Sequence, residues 1–530
     1  MTESTDVNPM QFNLADLFER VVDTVPDRLA LVAGDHRYTY AELDARANAC
    51  AHWLLDAGAV AGDHVGIHAH NRAEWVETMI GCYKARVVPI NVNYRYVVDE
   101  LRYLYDNADL VALFFESQFG SRIEPAIDGL PRLRHVVRIA DGTDVSDGLD
   151  TVAYEDAIAA ASPERDLGPR SPDDRYILYT GGTTGMPKGV IWRQEDIFFA
   201  AMGGGNYGGP GIETPEAIAQ SVAPNPAVTL ALAPLMHGNA QWTMFNSFFG
   251  GGTLVLSTDR RFEPDHIWKL VADEGVNTIS LVGDAMARPL VDAIAGKGAP
   301  PSLFALVSGG AILSPAIKDQ MHALMPQVLV LDSFGASETG ANGVVETTQS
   351  GPKFHMQDTT TVIDDDHRPV GPGETGWLAR RGRVPLGYYK DEQKSAATFV
   401  EVDGVRWAVP GDRAVIELDG TITVLGRGSQ SINSGGEKIF PEEVEAALKS
   451  HPAVFDALVV GVPNERWGEH VAAVVAFRVG EEATLEQLVA HCRESIADYK
   501  VPRALSVVAE VERQPSGKPD YKWAKAIARA

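Results

Sequence analysis

The stretch YTGGTTGMPKG, Tyr179 to Gly189, holds four glycines, three threonines and one lysine in eleven residues, beginning where the apolar strand Tyr176–Tyr179 ends. Glycines leave backbone N–H groups unobstructed, threonines add hydroxyl donors, and Lys188 adds a positive charge, a combination suited to phosphate oxygens. The stretch therefore reads as a strand running into a phosphate cradle. The Walker pattern does not apply, because Met186 and Pro187 separate Gly185 from Lys188. A flexible surface loop is the plainer reading, and the density of donors speaks against it.

Outward from this stretch, short apolar runs alternate with helical patterns. The runs are Asp63–Ala69, Val87–Asn91, Leu110–Phe115, Val136–Ile139, Thr253–Ser257, Thr278–Val282, Leu303–Ser308 and Val328–Asp332. Such alternation predicts βαβ units around largely parallel sheets, an α/β fold. Residues 36–58 read as a strand pair followed by a helix, with Leu43, Ala47, Ala51 and Leu54 on one face. Residues 201–227 read as a loop-rich insertion. The cluster Gly203 to Gly208 formally fits GxGxxG, yet it follows no strand and opens no helix, so a dinucleotide fingerprint is not supported. From about residue 372 the pattern changes to short strands with turn signals, and Asp419-Gly420 predicts a hairpin. A last unit follows, with helix Pro441–Lys449, strands Ala457–Val462 and Ala472–Phe477, and helix Leu485–Ser495; its boundary is expected near Gly426–Ser429.

The chain has 530 residues and a net charge of −26, which argues against a nucleic-acid surface or an anionic membrane partner. At 45% hydrophobic and 22% charged residues it is of globular composition. Its three cysteines, Cys50, Cys82 and Cys492, fit neither a zinc ribbon nor a CxxC redox site and are expected to be reduced. No signal-peptide pattern opens the sequence and no apolar run approaches the roughly 20 residues that span a bilayer. A cytoplasmic enzyme is the expectation, with no stable membrane insertion and an oligomeric state left open.

Further segments carry chemistry. In DSFGASETG, Asp332 to Gly340, an acidic residue follows a strand, where it suits Mg²⁺ on nucleotide phosphates, and Phe334 beside Gly335 suits stacking on a purine. Gly309 and Gly310 end another strand with exposed backbone. Each of these, alone, is equally a common βα turn. GASET lacks the last glycine of a serine-hydrolase elbow. His237 in APLMHGN is a structural histidine or a site residue; Asp412 in VPGDRA is a turn aspartate when taken alone. Lys518, in QPSGKPDYKWAK, sits in a Pro/Gly loop where a lysine is usually a solvated charge.

In order, YTGGTTGMPKG, APLMHG, FGASETG, PGD, GRGSQSINSGGEKIFPEEVE and PSGK resemble the adenylate-forming superfamily of acyl-CoA synthetases, adenylation domains and luciferases, over about residues 13–525. NVNYRYVVDELRYLYDN, GVIWRQEDI, GDAMARPLVDA and GRGSQSINSGGEK look like the actinobacterial steroid side-chain acyl-CoA synthetases. The resemblance implies a large N-terminal domain of packed α/β subdomains with a β-barrel-like portion, residues 1–428, and a small mobile α+β C-terminal domain, residues 429–530. It implies acyl-AMP formation from ATP and an acid, then transfer to CoA.

Carried over residue by residue, Thr180, Gly181, Gly182, Thr183, Thr184, Gly185 and Lys188 would hold the phosphates. Thr180 and Glu338 would sit around Mg²⁺. Phe334, Gly335, Gly309 and Gly310 would flank adenine, with Asp332 at its edge. Asp412 and Arg427 would meet the ribose and phosphate region. Lys518 would bridge the attacking carboxylate and α-phosphate, with Glu338, Thr183 and Lys188 assisting the chemistry. His237 would stand at the acyl entrance, Gly435 and Gly436 would line the pantetheine passage, and Lys438 would meet CoA phosphate. Ser429 stands where the family hinge has Asp or Lys, and Phe334 where Tyr is usual. Trp242, Met244, Phe245 and Phe248 line an acyl pocket or pack in a core. The implied substrate is a hydrophobic acid, either a steroid side-chain acid or a medium- to long-chain fatty acid. Loading of a carrier-protein pantetheine, or nucleotide binding without catalysis, are the alternatives.

Overall fold

The computed structural model describes residues 11–144, 147–182, 185–206, 209–348, 351–356, 358–434, 437–464, 468–514 and 517–530. Contacts divide the chain into two units: Met1–Ser280 with Pro300–Leu303 and Arg383–Ala397, and Leu281–Ala299 with Phe304–Gly382 and Thr398–Ala530.

The first unit contains the parallel sheets that the alternation predicts. In one, strands Val88–Asn91, His64–His68, Leu110–Glu116, His135–Ile139 and Val152–Ala153 lie side by side, all parallel. Leu110–Glu116 reads LVALFFE and is buried along its whole length, as a parallel strand covered on both faces must be. In the other, Leu29–Ala33, Thr253–Leu256, Val228–Ala231 and Thr278–Leu281 run parallel, with His36–Thr39 antiparallel at the edge. The strand pair thus begins before residue 36, at the apolar run Leu29–Ala33. The helix after it spans Tyr40–Asp56 and buries Leu43, Ala47, Ala51 and Leu54 as its periodicity requires. Thr39 and Glu42 close its N-terminus as a reciprocal capping box. After the helix Gln194–Ala201 the described residues up to 227 form short 3₁₀ turns, Gly203–Gly205 and Pro215–Ser221, so Gly203–Gly205 follows a helix, not a strand as a dinucleotide turn would; Tyr207 and Gly208 of the cluster lie outside the described residues.

The second unit begins with parallel strands Ala305–Gly309 and Leu329–Ala336 and then turns antiparallel. Strands Gly340–Thr348, Gly351–His355, Thr421–Arg427, Asp412–Ile416 and Thr375–Arg381 follow one another across the sheet. Ala414 and Ile416 on one strand meet Ile422 and Val424 on the next in a shared core, the period-two signature of a strand with one buried face. The Asp419-Gly420 turn forms as expected: Gly420 has φ +81°, and Asp419 Oδ1 accepts from the backbone N–H of Thr421 at 3.1 Å.

The last hundred residues of this unit carry their own sheet, with Glu437–Ile439, Ile432–Ser434, Gly468–Phe477, Val454–Asn464 and Ala504–Val508. Along Val454–Asn464 the side chains alternate between two cores, Val459 with Val444, Leu448 and Leu488, and Leu458 and Val460 with Ala524 and Val474. The helix Pro441–Lys449 has the bounds expected of it; the next, Leu485–Cys492, stops three residues short of Ser495. Cys50, Cys82 and Cys492 are free and buried. Among the described residues no helix is long and apolar enough to cross a membrane.

Candidate active site

The strand before the glycine-rich stretch does not stop at Tyr179. It runs Arg175–Gly182, and Gly185–Arg193 returns antiparallel, with Tyr179 opposite Gly189 and Thr180 opposite Lys188. The cradle is therefore the tip of a β-hairpin and not a strand-to-loop junction. The residues after Lys188, with Val190 and Trp192 buried, have strand character of their own. Gly189 lets the two strands approach: a Cβ there would lie 2.7 Å from Tyr179 Cε2. Gly181, Gly182 and Gly185 are strand positions at the hairpin tip, while Thr183 and Thr184 lie outside the described residues. Lys188 pairs with Asp391 at 2.5 Å and lies 5.8 Å over the Tyr388 ring, and this pairing holds the Asp391 carboxyl below its usual range.

Asn91, which the sequence reading placed at a strand end without a role, fixes the hairpin in place. Its side-chain amide donates to Tyr179 O at 2.8 Å and Met236 O at 2.7 Å, and its carbonyl accepts from Tyr179 N–H at 2.8 Å. One buried amide so joins the residue before Thr180 to the residue before His237. His237 is the residue before the helix Gly238–Phe249 and makes no side-chain capping bond to it. Of the aromatic stretch that follows, Met244, Phe245 and Phe248 are buried, Phe245 against Tyr83 and Phe248 against Phe18 and Tyr40. These three pack in the core. Trp242 is half-buried and covers Gly238.

In the second unit a pocket opens among residues from seven separate stretches of the chain. Its walls include Gly310, Asp332, Phe334, Gly335 and Asp412, five residues expected at a nucleotide. Phe334 is backed by Phe354, ring centroids 6.0 Å apart and 16° from parallel. Gly335 follows a register shift, and a Cβ on it would lie 2.6 Å from Gly340 O, so only glycine fits the bend. Asp332 is buried and 3.4 Å from Lys318 Nζ, an ion pair that leaves its carboxylate less available to an adenine edge. Asp412 is buried, and its backbone is opposite Arg427 across the hairpin. Glu442 and Gly426, both in GRGSQSINSGGEKIFPEEVE but given no site role there, also line this wall; Gly426 has φ +120°, and a Cβ there would meet Glu442 Oε2 at 2.5 Å. Among the described residues, Gly309, Glu338 and Lys518 do not line the pocket. Gly309 is one residue from it, opposite Ser333.

Glu338 occupies the turn between strands Leu329–Ala336 and Gly340–Thr348, so DSFGASETG is a β-hairpin and not a βα turn. Asn342 Nδ2 donates to Thr339 Oγ1 at 3.0 Å, and Arg380 donates to Asn342 Oδ1 at 3.0 Å, bracing that turn; burial pulls the Arg380 guanidinium down to about 10. Lys518 is exposed, lies inside the Arg513–Pro519 bridge, and accepts at its carbonyl from Gln514 N–H at 2.9 Å. Arg427 ends its strand and Lys438 lies within Glu437–Ile439, their side chains falling outside the description; Gly435 and Gly436 lie outside the described residues.

The AMP-binding enzyme profile matches residues 18–389, and the profile of the AMP-binding enzyme C-terminal domain matches residues 443–518. The chain belongs to the AMP-binding enzyme family. This AMP-binding enzyme is 49% identical, over 97% of its length and 96% of the relative's, to a 3-oxocholest-4-en-26-oate–CoA ligase of Rhodococcus rhodochrous. It is 48% identical, over 98% of its length and 97% of the relative's, to a medium/long-chain-fatty-acid–CoA/3-oxocholest-4-en-26-oate–CoA ligase of Mycolicibacterium smegmatis. It falls within the acyl-CoA synthetases of the family. Its fold matches the crystal structure of an anthranilate CoA ligase bound to anthranoyl-AMP with a TM-score of 0.85, covering 100% of this chain and 99% of the other at 23% identity, a likeness of fold. The large α/β region and small α+β C-terminal region are those of the adenylate-forming fold.

Among the described residues of the AMP-binding enzyme, no three His, Cys, Asp or Glu side chains gather as a protein-only metal site. Thr180 carries a hydroxyl and Glu338 a carboxylate, each by itself a hard oxygen donor of the kind Mg²⁺ takes.

Proposed function

We propose that this AMP-binding enzyme is an ATP-dependent acid:CoA ligase whose substrate is a steroid side-chain acid. The observation that carries the reading is the 49% identity to a 3-oxocholest-4-en-26-oate–CoA ligase along nearly the whole of both chains. The name of the Mycolicibacterium relative pairs that steroid acid with medium and long fatty acids, which makes a fatty acid the second reading.

A carboxylic acid is ionised at neutral pH, so the first step needs no general base. One carboxylate oxygen attacks the α-phosphorus of ATP, the bond from that phosphorus to the pyrophosphate oxygen breaks, and acyl-AMP forms. The CoA thiolate then attacks the acyl carbon, the carbon–oxygen bond to AMP breaks, and the thioester leaves. Catalysis is chiefly positioning, charge neutralisation and exclusion of water from a mixed anhydride. In this reading Phe334, with Gly309, Gly310 and Gly335, holds adenine, and Asp412 accepts from the ribose hydroxyls. Arg427 serves the ribose or phosphate region. The hairpin tip, Thr180 to Gly185, and Lys188 hold the outer phosphates, with Lys188 exchanging Asp391 for phosphate oxygen. Lys518 neutralises charge between the attacking carboxylate and the α-phosphate. His237 stands at the acyl entrance, and Gly435, Gly436 and Lys438 serve CoA. Thr180 and Glu338 would hold Mg²⁺, which supplies charge neutralisation at the phosphates. Residues 429–530 act as the mobile domain against 1–428, and the reduced, buried cysteines suit a cytoplasmic location.

The test is CoA thioester formation by the purified enzyme across acetate, octanoate, palmitate, an aromatic acid and 3-oxocholest-4-en-26-oate. Turnover is expected to be greatest with the steroid acid, followed by palmitate and octanoate. Preference for acetate or the aromatic acid would contradict the proposal.

A further inference from the structure

The helix Gly283–Ile294 starts at the wall of the nucleotide pocket. Gly283 N–H donates to Ser308 Oγ at 3.1 Å, Asp284 N–H donates to Ile312 O at 3.1 Å, and Asp284 Oδ1 accepts from Ser314 N–H at 2.8 Å. Ile312 lines the pocket beside Gly310. The same helix start touches the loop of Lys518, for a Cβ on Gly517 would lie only 3.1 Å from Val282 Cγ1. Pocket wall and lysine loop thus meet at Val282–Asp284.

The second oxygen of Asp284 faces two cations, Arg288 Nη2 at 3.8 Å and Lys449 Nζ at 3.9 Å. All three side chains are buried. Lys449 ends the helix Pro441–Lys449, and the strand after it supplies Asp456, which binds Arg513 through both oxygens at 2.7 and 2.8 Å. Arg513 opens the Lys518 loop and donates to Gly517 O at 3.3 Å. Arg288 also lies 5.3 Å over the Phe455 ring, beside Asp456. Two buried ion-pair groups, Asp284 with Arg288 and Lys449 and Asp456 with Arg513, thus stand between the pocket wall and the backbone of the lysine loop, joined by the segment Lys449–Asp456.

A buried set of this kind adds little net stability, because desolvation offsets most of the attraction, while removing one partner leaves a buried charge uncompensated. Asp284 makes this plain. Its Oδ2 lies near two cations without a hydrogen bond to either among the described residues. What the arrangement supplies is register: the lysine loop sits at the pocket wall only while the charges face one another.

We propose that Asp284 and Lys449 are positioning residues that hold the Lys518 loop at the nucleotide pocket for the adenylation half-reaction. This rests on the role proposed for Lys518. The thioester half-reaction, in which the CoA thiolate displaces AMP from acyl-AMP, makes no use of Lys518 in that reading, so the two half-reactions separate under mutation.

The experiment measures both on the full-length enzyme, with whichever acid of the panel above turns over fastest. Acid-dependent ATP–pyrophosphate exchange reports adenylation, and thioester formation from the supplied acyl-adenylate and CoA reports the second step. Asp284→Asn and Lys449→Met are expected to lower exchange about tenfold or more, with the second step within about threefold of wild type. Lys449→Arg is expected to retain exchange, and the double variant to lose no more than the worse single one. Equal loss in both half-reactions, or unchanged exchange, would overturn the proposal. Should Asp284→Asn fail to fold, the Lys449 pair of variants decides alone. Lys518→Ala with exchange intact would instead fault the role of Lys518 itself, a result separable from the behaviour of Asp284 and Lys449.

Discussion

Asp412 is a buried carboxylate on the wall of a pocket that also holds Phe334, Gly310 and Gly335. A hydrogen bond to a charged group is worth about 1.5–3 kcal/mol. Asp412→Ala is therefore expected to weaken ATP binding by roughly 10- to 100-fold, read by calorimetry, with the KM for the acid changed much less. Equal ATP affinity in the variant would remove Asp412 from the nucleotide site. At this scale the sequence was informative where a motif carried its own chemistry. Phe334, Gly310 and Asp412, each a plain turn residue when taken alone, were put together by the order of the motifs and the resemblance, and the three line one pocket. Glu442 and Lys318 were not, because a glutamate or lysine at a helix start has no local mark of what it will face. The partnership of Lys188 with Asp391 spans 203 residues and leaves no trace in either segment.

At the scale of elements, strands were read well and their ends were not. Leu110–Phe115 and Val136–Ile139 were legible because a buried parallel strand is apolar throughout. The first strands of the hairpins Arg175–Arg193 and Leu329–Thr348 were read as ending at Tyr179 and Asp332, ahead of their glycines, since glycine weakens strand propensity even where cross-strand pairing holds it. Asn91 shows what such pairing depends on. Its three hydrogen bonds join the hairpin Arg175–Arg193 to the segment of His237, and Asn91→Ala removes the partner that these backbone groups have in its side chain. That substitution is expected to destabilise the protein by about 2 kcal/mol or more and to lower kcat/KM, measured by denaturant unfolding beside steady-state kinetics. A variant as stable and active as wild type would refute the bracing role.

For the whole molecule, the α/β character and the separate C-terminal sheet were legible from periodicity, whereas the two contact units cut the chain in places no local pattern marks. Residues 383–397 join the first unit because Gly387–Tyr388 pairs with Val190–Ile191, a register set only in three dimensions. Global stability carries a pH signature from His68. Burial pulls this imidazole from 6.5 down to about 3, aided by Arg122 and His70, while it bonds the Tyr105 hydroxyl at 2.9 Å and stacks on Phe119. The unfolded chain therefore binds the extra proton in this window, so the stability conferred is full above pH 6.5 and is lost as pH falls toward 3. One such site contributes about 1.4 kcal/mol per pH unit. His68→Gln is expected to show a flatter Tm between pH 6.5 and 4.5 than wild type; parallel curves would show that His68 does not set the slope.

The most direct test of the account is ATP–pyrophosphate exchange in the absence of CoA, with wild type and Lys518→Ala side by side. A two-step ligase forms acyl-AMP before CoA enters, so exchange is expected to require the acid and proceed without CoA, and to fall at least a hundredfold in Lys518→Ala with ATP affinity retained, about 2.7 kcal/mol of transition-state stabilisation. Exchange that demands CoA, or that survives the loss of Lys518, would contradict it.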